Sequence, residues 1–173
     1  HSRRKIVSQI SLGIASIPLL GLIYGILKGK YNYKVHHVKL FFDDLPKSFD
    51  GFKITQLSDI HSGSFTDKEA VEKGIKLANQ QNSDLIVFTG DLVNNKAEEM
   101  DEWIESFKKL DAPFGKYSIL GNHDYGDYIK WESETEKKKN LNRLKEIHEE
   151  IGFDLLLNSN RKIKKNGEEL SLV

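Results

Sequence analysis

The chain has 173 residues, with 26 Lys plus Arg balanced by 26 Asp plus Glu, and no cysteine. That length suits one domain with a real core. The zero net charge gives no global signal for nucleic-acid binding. Without thiols, the fold cannot rest on disulfides, and any metal must be held by oxygen and imidazole.

Residues 10–27 carry no charge and approach the roughly 20 apolar residues that a bilayer-spanning helix needs. Arg3, Arg4 and Lys5 precede them; Lys28, Lys30 and Lys34 follow, with Tyr24, Tyr31 and Tyr33 where an interfacial belt would lie. A transmembrane anchor fits this better than a buried helix of a soluble fold. Positive charge is nearly equal on the two sides, so charge does not fix the orientation. Ser2-Arg3-Arg4-Lys5-Ile6-Val7 is similar to a twin-arginine export signal; three basic residues capping a membrane helix is the equal alternative. No small-residue cleavage site follows Leu27, so the segment is expected to stay attached. Residues 1–33 are therefore read as a membrane anchor or twin-arginine-like signal segment, and 34–173 as the domain it carries.

Beyond Tyr33, strand and helix patterns alternate. Val35 to Phe42 reads as a strand, then Phe52 to Leu57 as another. Thr66 and Glu69 read as a capping box opening a helix with Ala70, Val71, Ile75 and Ala78 on one face. Leu85 to Thr89 has the short apolar run of a strand buried on both faces. Met100, Trp103, Ile104, Phe107 and Leu110 form one helical stripe, and Tyr117 to Leu120 is the next buried strand. Ser133 and Glu136 suggest a cap for a helix bearing Leu141, Leu144, Ile147 and Ile151, stopped by Gly152. Phe153 to Leu157, Lys162 to Lys164 and Leu170 to Val173 read as short strands. The expected fold is α/β, a layered sheet flanked by helices and preceded by the membrane helix. The start at His1 and the apolar end at Val173 lead us to expect a piece of a longer protein, incomplete at its C-terminus.

Three polar clusters lie at the C-terminal ends of buried strands: Asp59-Ile60-His61, Gly90-Asp91-Leu92-Val93-Asn94 and Gly121-Asn122-His123-Asp124. Loops leaving these ends in an α/β sheet converge on one crevice. Each cluster alone reads as an ordinary strand-end turn. Together they offer two carboxylates, an amide and two imidazoles, a set suited to Mn²⁺, Fe or Zn²⁺ rather than to Ca²⁺. The glycines before Asp91 and Asn122 let the backbone turn sharply there.

At these residues the chain resembles the calcineurin-like metallophosphoesterases, which read Asp-x-His, Gly-Asp-x-x-Asn or Asp, and Gly-Asn-His-Asp or Glu. The resemblance covers residues 50–125 and, with the membrane segment, looks like a bacterial membrane-associated subgroup. It implies two divalent metal ions: Asp59 and His61 on the first, Asp91 bridging, and Asn122 on the second. His123 would sit near the leaving group and Asp124 would orient His123 by hydrogen bonding. A carboxylate between two cations holds them roughly 3.5–4 Å apart, and water bound there has a pKa lowered to roughly 7, which makes a metal-bound hydroxide available.

The expected function is thus metal-dependent hydrolysis of a phosphate mono- or diester or pyrophosphate at a bacterial cell membrane, with the catalytic domain outside the cytoplasm. A lipid-linked phosphate is attractive beside an anchor; small phosphodiesters are equally allowed, and no nucleic-acid partner is expected. Tyr125, Tyr128 and Trp131 offer either a substrate-selecting surface or simple loop packing. The family's later Gly-His and Gly-His-x-His ligands are not in this sequence. His36 and His37 lie on an early strand and are expected to be structural or solvent-facing, and His148 is expected to be a surface or packing residue. The missing histidines are expected beyond Val173; otherwise the alternative is a non-catalytic, membrane-anchored protein that keeps the fold and binds a partner.

Overall fold

The computed structural model describes residues 3–27 and 29–173; Ser2 and Lys28 of the basic flanks lie outside them. The chain divides into two compact units, His1–Lys39 and Leu40–Val173.

The first unit is built on helix α1, Arg3–Leu27. It has the length and composition to cross a membrane over Arg3–Gly25, and none of that stretch is buried within the protein. Water would therefore meet its apolar surface over the whole of that stretch.

The second unit is α/β. Strands β1 (Ile54–Leu57), β2 (Leu85–Phe88), β3 (Lys116–Ser118) and β4 (Asp154–Leu155) form one parallel sheet in that order. Leu57 pairs with Phe88, Phe88 with Ser118 and Ser118 with Leu155, so the C-terminal ends lie level. Helix α2 (Lys68–Asn79) follows β1, and the one-turn helix α3 (Ile104–Phe107) follows β2. Helix α4 (Glu134–Glu150) follows β3 and packs against β4.

The apolar stripes do what their spacing predicts. Val71, Ile75 and Ala78 of α2 and Leu144 and Ile147 of α4 are buried, with Ile151 just beyond. Each of the Val, Leu and Ile side chains contributes about 2 kcal/mol through burial. The opposite face of the sheet is met by Phe49 and by a hairpin of β5 (Arg161–Lys165) and β6 (Glu168–Leu172), with Phe49, Leu85 and Ile163 at its centre. Asn166 and Gly167 at the tip both have positive φ, 50° and 83°, the two-residue geometry that matches strand twist.

Three local expectations change. Val35 to Phe42 is exposed and forms no strand; none of the described strands pairs with it, and a strand without an edge partner has no ladder to join. The cap of α2 is Asp67, whose carboxylate accepts the Ala70 N–H at 3.0 Å, not Thr66. The stripe from Met100 to Leu110 is buried as expected, but on a 3-10 turn (Ala97–Met100) followed by the single turn of α3. His148 is fully buried, which decides for packing between the two alternatives expected for it.

Candidate metal centre

The parallel pairing continues past the strand ends and positions the three loops. Thr89 N–H donates to Leu57 O and Ile119 N–H to Phe88 O, both at 3.0 Å. The loop after β1 then runs along the loop after β2: Asp59 N–H donates to Gly90 O and His61 N–H to Asp91 O, each at 3.1 Å. To make these bonds Asp59, His61 and Asp91 all adopt left-handed backbone conformations, with φ of 53°, 47° and 62°. Non-glycine residues held this way cluster where the surroundings over-determine a functional geometry.

Glycine is required where two loops cross. A Cβ on Gly90 would lie 2.4 Å from Gly121 N, and a Cβ on Gly121 would lie 2.2 Å from Asp91 Oδ1. The two backbones therefore touch, and Asp91 stands directly beside the loop after β3.

His61, Asp91 and His123 each present a ligand atom within 4.8 Å of the other two. Asp91 Oδ1 accepts the His123 backbone N–H at 2.9 Å, which leaves Oδ2 turned toward His61, 3.9 Å from Nε2. The His61 and His123 rings meet edge to face, centroids 4.7 Å apart. His123 Nδ1 lies 2.8 Å from Asn94 O. A carbonyl can only accept, so Nδ1 carries the proton and Nε2 is the atom that can take a metal or exchange a proton. Two imidazoles and a carboxylate at this spacing fit a divalent transition metal.

The other expected site residues are placed differently. Asp59 starts from the same strand end but its carboxylate is exposed, accepts from Ser58 Oγ, and is outside the three-residue cluster. Asn122 directs its amide Nδ2 to Tyr128 OH at 2.7 Å. Asp124 does not hold the His123 ring. It is fully buried and accepts four backbone N–H groups: Asp91 at 2.9 Å, Leu92 at 2.8 Å, Val93 at 3.3 Å and Gly121 at 2.9 Å. Burial pushes its carboxyl up from the ordinary value, against the pull of those amides.

Sequence patterns missed two partners. Glu99 accepts the N–H groups of Asn94, Asn95 and Lys96, and Asn140 Oδ1 accepts that of Ala97. With Asp124, these three side chains take the seven consecutive backbone N–H groups from Asp91 to Ala97. The loop carrying Asp91 and the Asn94 carbonyl is thereby fixed from end to end. Glu99 three residues after Lys96 was the available signal, since a carboxylate at that spacing reaches back to free amides.

A family model described as calcineurin-like phosphoesterase matches residues 52–169. The chain belongs to that family. It is 44% identical over 86 residues to the uncharacterized metallophosphoesterase YkuE of Bacillus subtilis, covering 49% of this chain and 30% of the relative. It is 29% identical over 103 residues to a transmembrane protein with metallophosphoesterase domain from Danio rerio, covering 60% and 24%. It is 37% identical over 90 residues to the UDP-2,3-diacylglucosamine pyrophosphatase LpxG of Chlamydia trachomatis, covering 50% and 27%. The chain thus spans a third or less of the length of these relatives. No solved structure matches. The chain thus carries a metallophosphoesterase-family domain with a parallel α/β sheet, and His61, Asp91 and His123 form a cluster in it that could hold a divalent metal.

Proposed function

We propose that this chain carries part of the two-metal centre of a membrane-anchored phosphoesterase, which hydrolyses a phosphate ester or pyrophosphate. The observation that carries the reading is the convergence of His61, Asp91 and His123 at the level C-terminal ends of three parallel strands. In it Asp59 and His61 hold one ion, Asp91 bridges, and Asn122 Oδ1 serves the second. The ions would neutralise charge on the phosphate and acidify water.

The chain's own residues do the rest. Asp91 is aimed by the His123 N–H on Oδ1, so its carboxylate plane is set before any ion arrives. His123 keeps its Nδ1 proton on Asn94 O in both charge states, so the proton that moves is at Nε2, where it can be passed to a departing alkoxide. A second reading, in which His123 is itself a ligand, is favoured by its place in the cluster. His123→Ala separates the two: retained metal with lost turnover supports proton transfer, and lost metal supports ligation.

The anchor-like α1 and the pyrophosphatase name of the Chlamydia relative support a lipid-linked phosphate or pyrophosphate as substrate; the twin-arginine-like start is what favours a domain outside the cytoplasm. The test is hydrolysis of bis-p-nitrophenyl phosphate and of a UDP-linked lipid by the full-length protein in Mn²⁺, beside Asp91→Ala. Turnover of either that Asp91→Ala abolishes supports the reading. A metal-loaded protein that turns over neither would favour a non-catalytic, partner-binding role.

A further inference from the structure

The loop after Asp124 is held in place by its own contacts. Gly126 adopts a left-handed conformation, φ 67°, and its carbonyl accepts Trp131 Nε1–H at 2.7 Å. The Trp131 ring sits where a Cβ of Gly126 would be, 2.9 Å away. Asp127 is ion-paired with Lys137 of α4. This short closed loop returns Tyr128 over the site. The Tyr128 ring stacks on His123, with centroids 4.4 Å apart and planes 23° from parallel, and its hydroxyl meets Asn122 Nδ2 at 2.7 Å.

Asn122 has chemically opposite ends, two N–H donors and one acceptor oxygen. Only the oxygen can face a cation. A freely turning amide presents either end, whereas a hydroxyl accepting Nδ2–H commits Oδ1 to the other side. The stacked ring meanwhile covers one face of His123, whose Nδ1 is already tied to Asn94 O. A second contact on the same imidazole leaves it little rotation about χ2.

We propose that Tyr128 is a positioning residue: its hydroxyl sets the orientation of the Asn122 amide for a divalent ion, and its ring sets the plane of His123. The proposal rests on the two-metal reading of the site. It uses two separable groups on one side chain, which makes it testable. Tyr128→Phe removes the hydroxyl and keeps the stack; Tyr128→Leu removes both. Tyr128 is 61% exposed, so both variants are expected to fold.

The experiment is Mn²⁺ titration of the full-length protein by calorimetry, with kcat and KM measured alongside. Tyr128→Phe should weaken Mn²⁺ binding about tenfold, at the lower end of what loss of a ligand's supporting hydrogen bond does. Its kcat at saturating Mn²⁺ should be nearly unchanged. Tyr128→Leu should add a fall in kcat at saturating Mn²⁺, with KM little altered. In an Asn122→Asp background Tyr128→Phe should lose most of its effect on Mn²⁺ affinity, because a carboxylate offers oxygen whichever way it turns; this coupling is one that a merely structural tyrosine would not show. Equal Mn²⁺ affinity in wild type and Tyr128→Phe, with binding still lost in Asp91→Ala, would overturn the proposal and leave the metal reading standing. A wild-type protein that binds no Mn²⁺ would overturn both.

Discussion

Asp124 Oδ2 accepts the backbone N–H of Asp91 at 2.9 Å, so the buried carboxylate of one loop grips the next loop at the residue that offers the candidate bridging ligand. The same oxygen takes Gly121 N–H, and Oδ1 takes Leu92 and Val93. The candidate metal site is thus pre-shaped by an acidic residue whose two oxygens are already taken by four N–H groups.

Asp124→Ala should therefore act first on stability. It would leave four backbone N–H groups without acceptors, three of them in buried bonds, at roughly 1–3 kcal/mol each where water cannot reach. A loss of at least about 3 kcal/mol in urea unfolding is expected, with Asp124→Asn intermediate because it keeps one acceptor oxygen. An Asp124→Ala protein of wild-type stability but reduced turnover would restore the role of orienting His123.

Gly121→Ala should act on the site and on the packing of the two loops together. Its Cβ would fall 2.2 Å from Asp91 Oδ1, so the carboxylate must leave the His123 N–H. Mn²⁺ affinity is expected to fall more than tenfold, the scale set by loss of a ligand's supporting shell, together with a loss of stability, because the same Cβ would lie 2.5 Å from the Asp91 backbone N. Unchanged affinity would mean that the aim of Asp91 does not matter.

His148 gives the protein an acid limit. It is fully buried against the Phe88 ring, centroids 6.0 Å apart, and neither ring nitrogen has a hydrogen-bond partner among the described residues. Burial lowers its pKa to about 4 from 6.5. The folded state therefore holds the neutral ring, while the unfolded chain takes up a proton below 6.5. Its contribution is present in full above pH 6.5 and is lost as pH falls toward 4, a total of about 3 kcal/mol. Urea midpoints between pH 7 and 4.5 should drop steeply in wild type and less in His148→Phe. Parallel slopes would place the acid sensitivity elsewhere.

Helix α4 was readable from Ser133, its apolar stripe and Gly152, because a cap, a period and a stop are all local signals; Ser133 Oγ does accept Glu136 N–H. The strands were placed by their apolar runs, but less closely: β3 stops at Ser118 and β4 at Leu155, short of the expected Leu120 and Leu157. The segment from Val35 to Phe42 has strand-like residues, yet whether it pairs depends on a neighbour that its own pattern cannot specify. The Met100 to Leu110 stripe gave the buried face but not the backbone, since a 3-10 turn followed by one α turn can bury the same side chains. Least visible were Asp124 and Glu99, whose partners are backbone N–H groups. Any residue supplies those, so for Asp124 the sequence carries no mark of the pairing, and for Glu99 only the local spacing from Lys96 hints at it. The clustering of His61, Asp91 and His123 needed three loops to be brought level, which the strand register provides.

The most direct test of the central claim is the number of metal ions bound per chain of the full-length protein. It would be counted by inductively coupled plasma mass spectrometry after Mn²⁺ loading, in wild type, His61→Ala and Asp91→Ala. The account predicts about two ions in wild type, about one in His61→Ala and close to none in Asp91→Ala, because a bridging carboxylate serves both sites. No bound metal in wild type, or an Asp91→Ala protein that keeps its full complement, would contradict it.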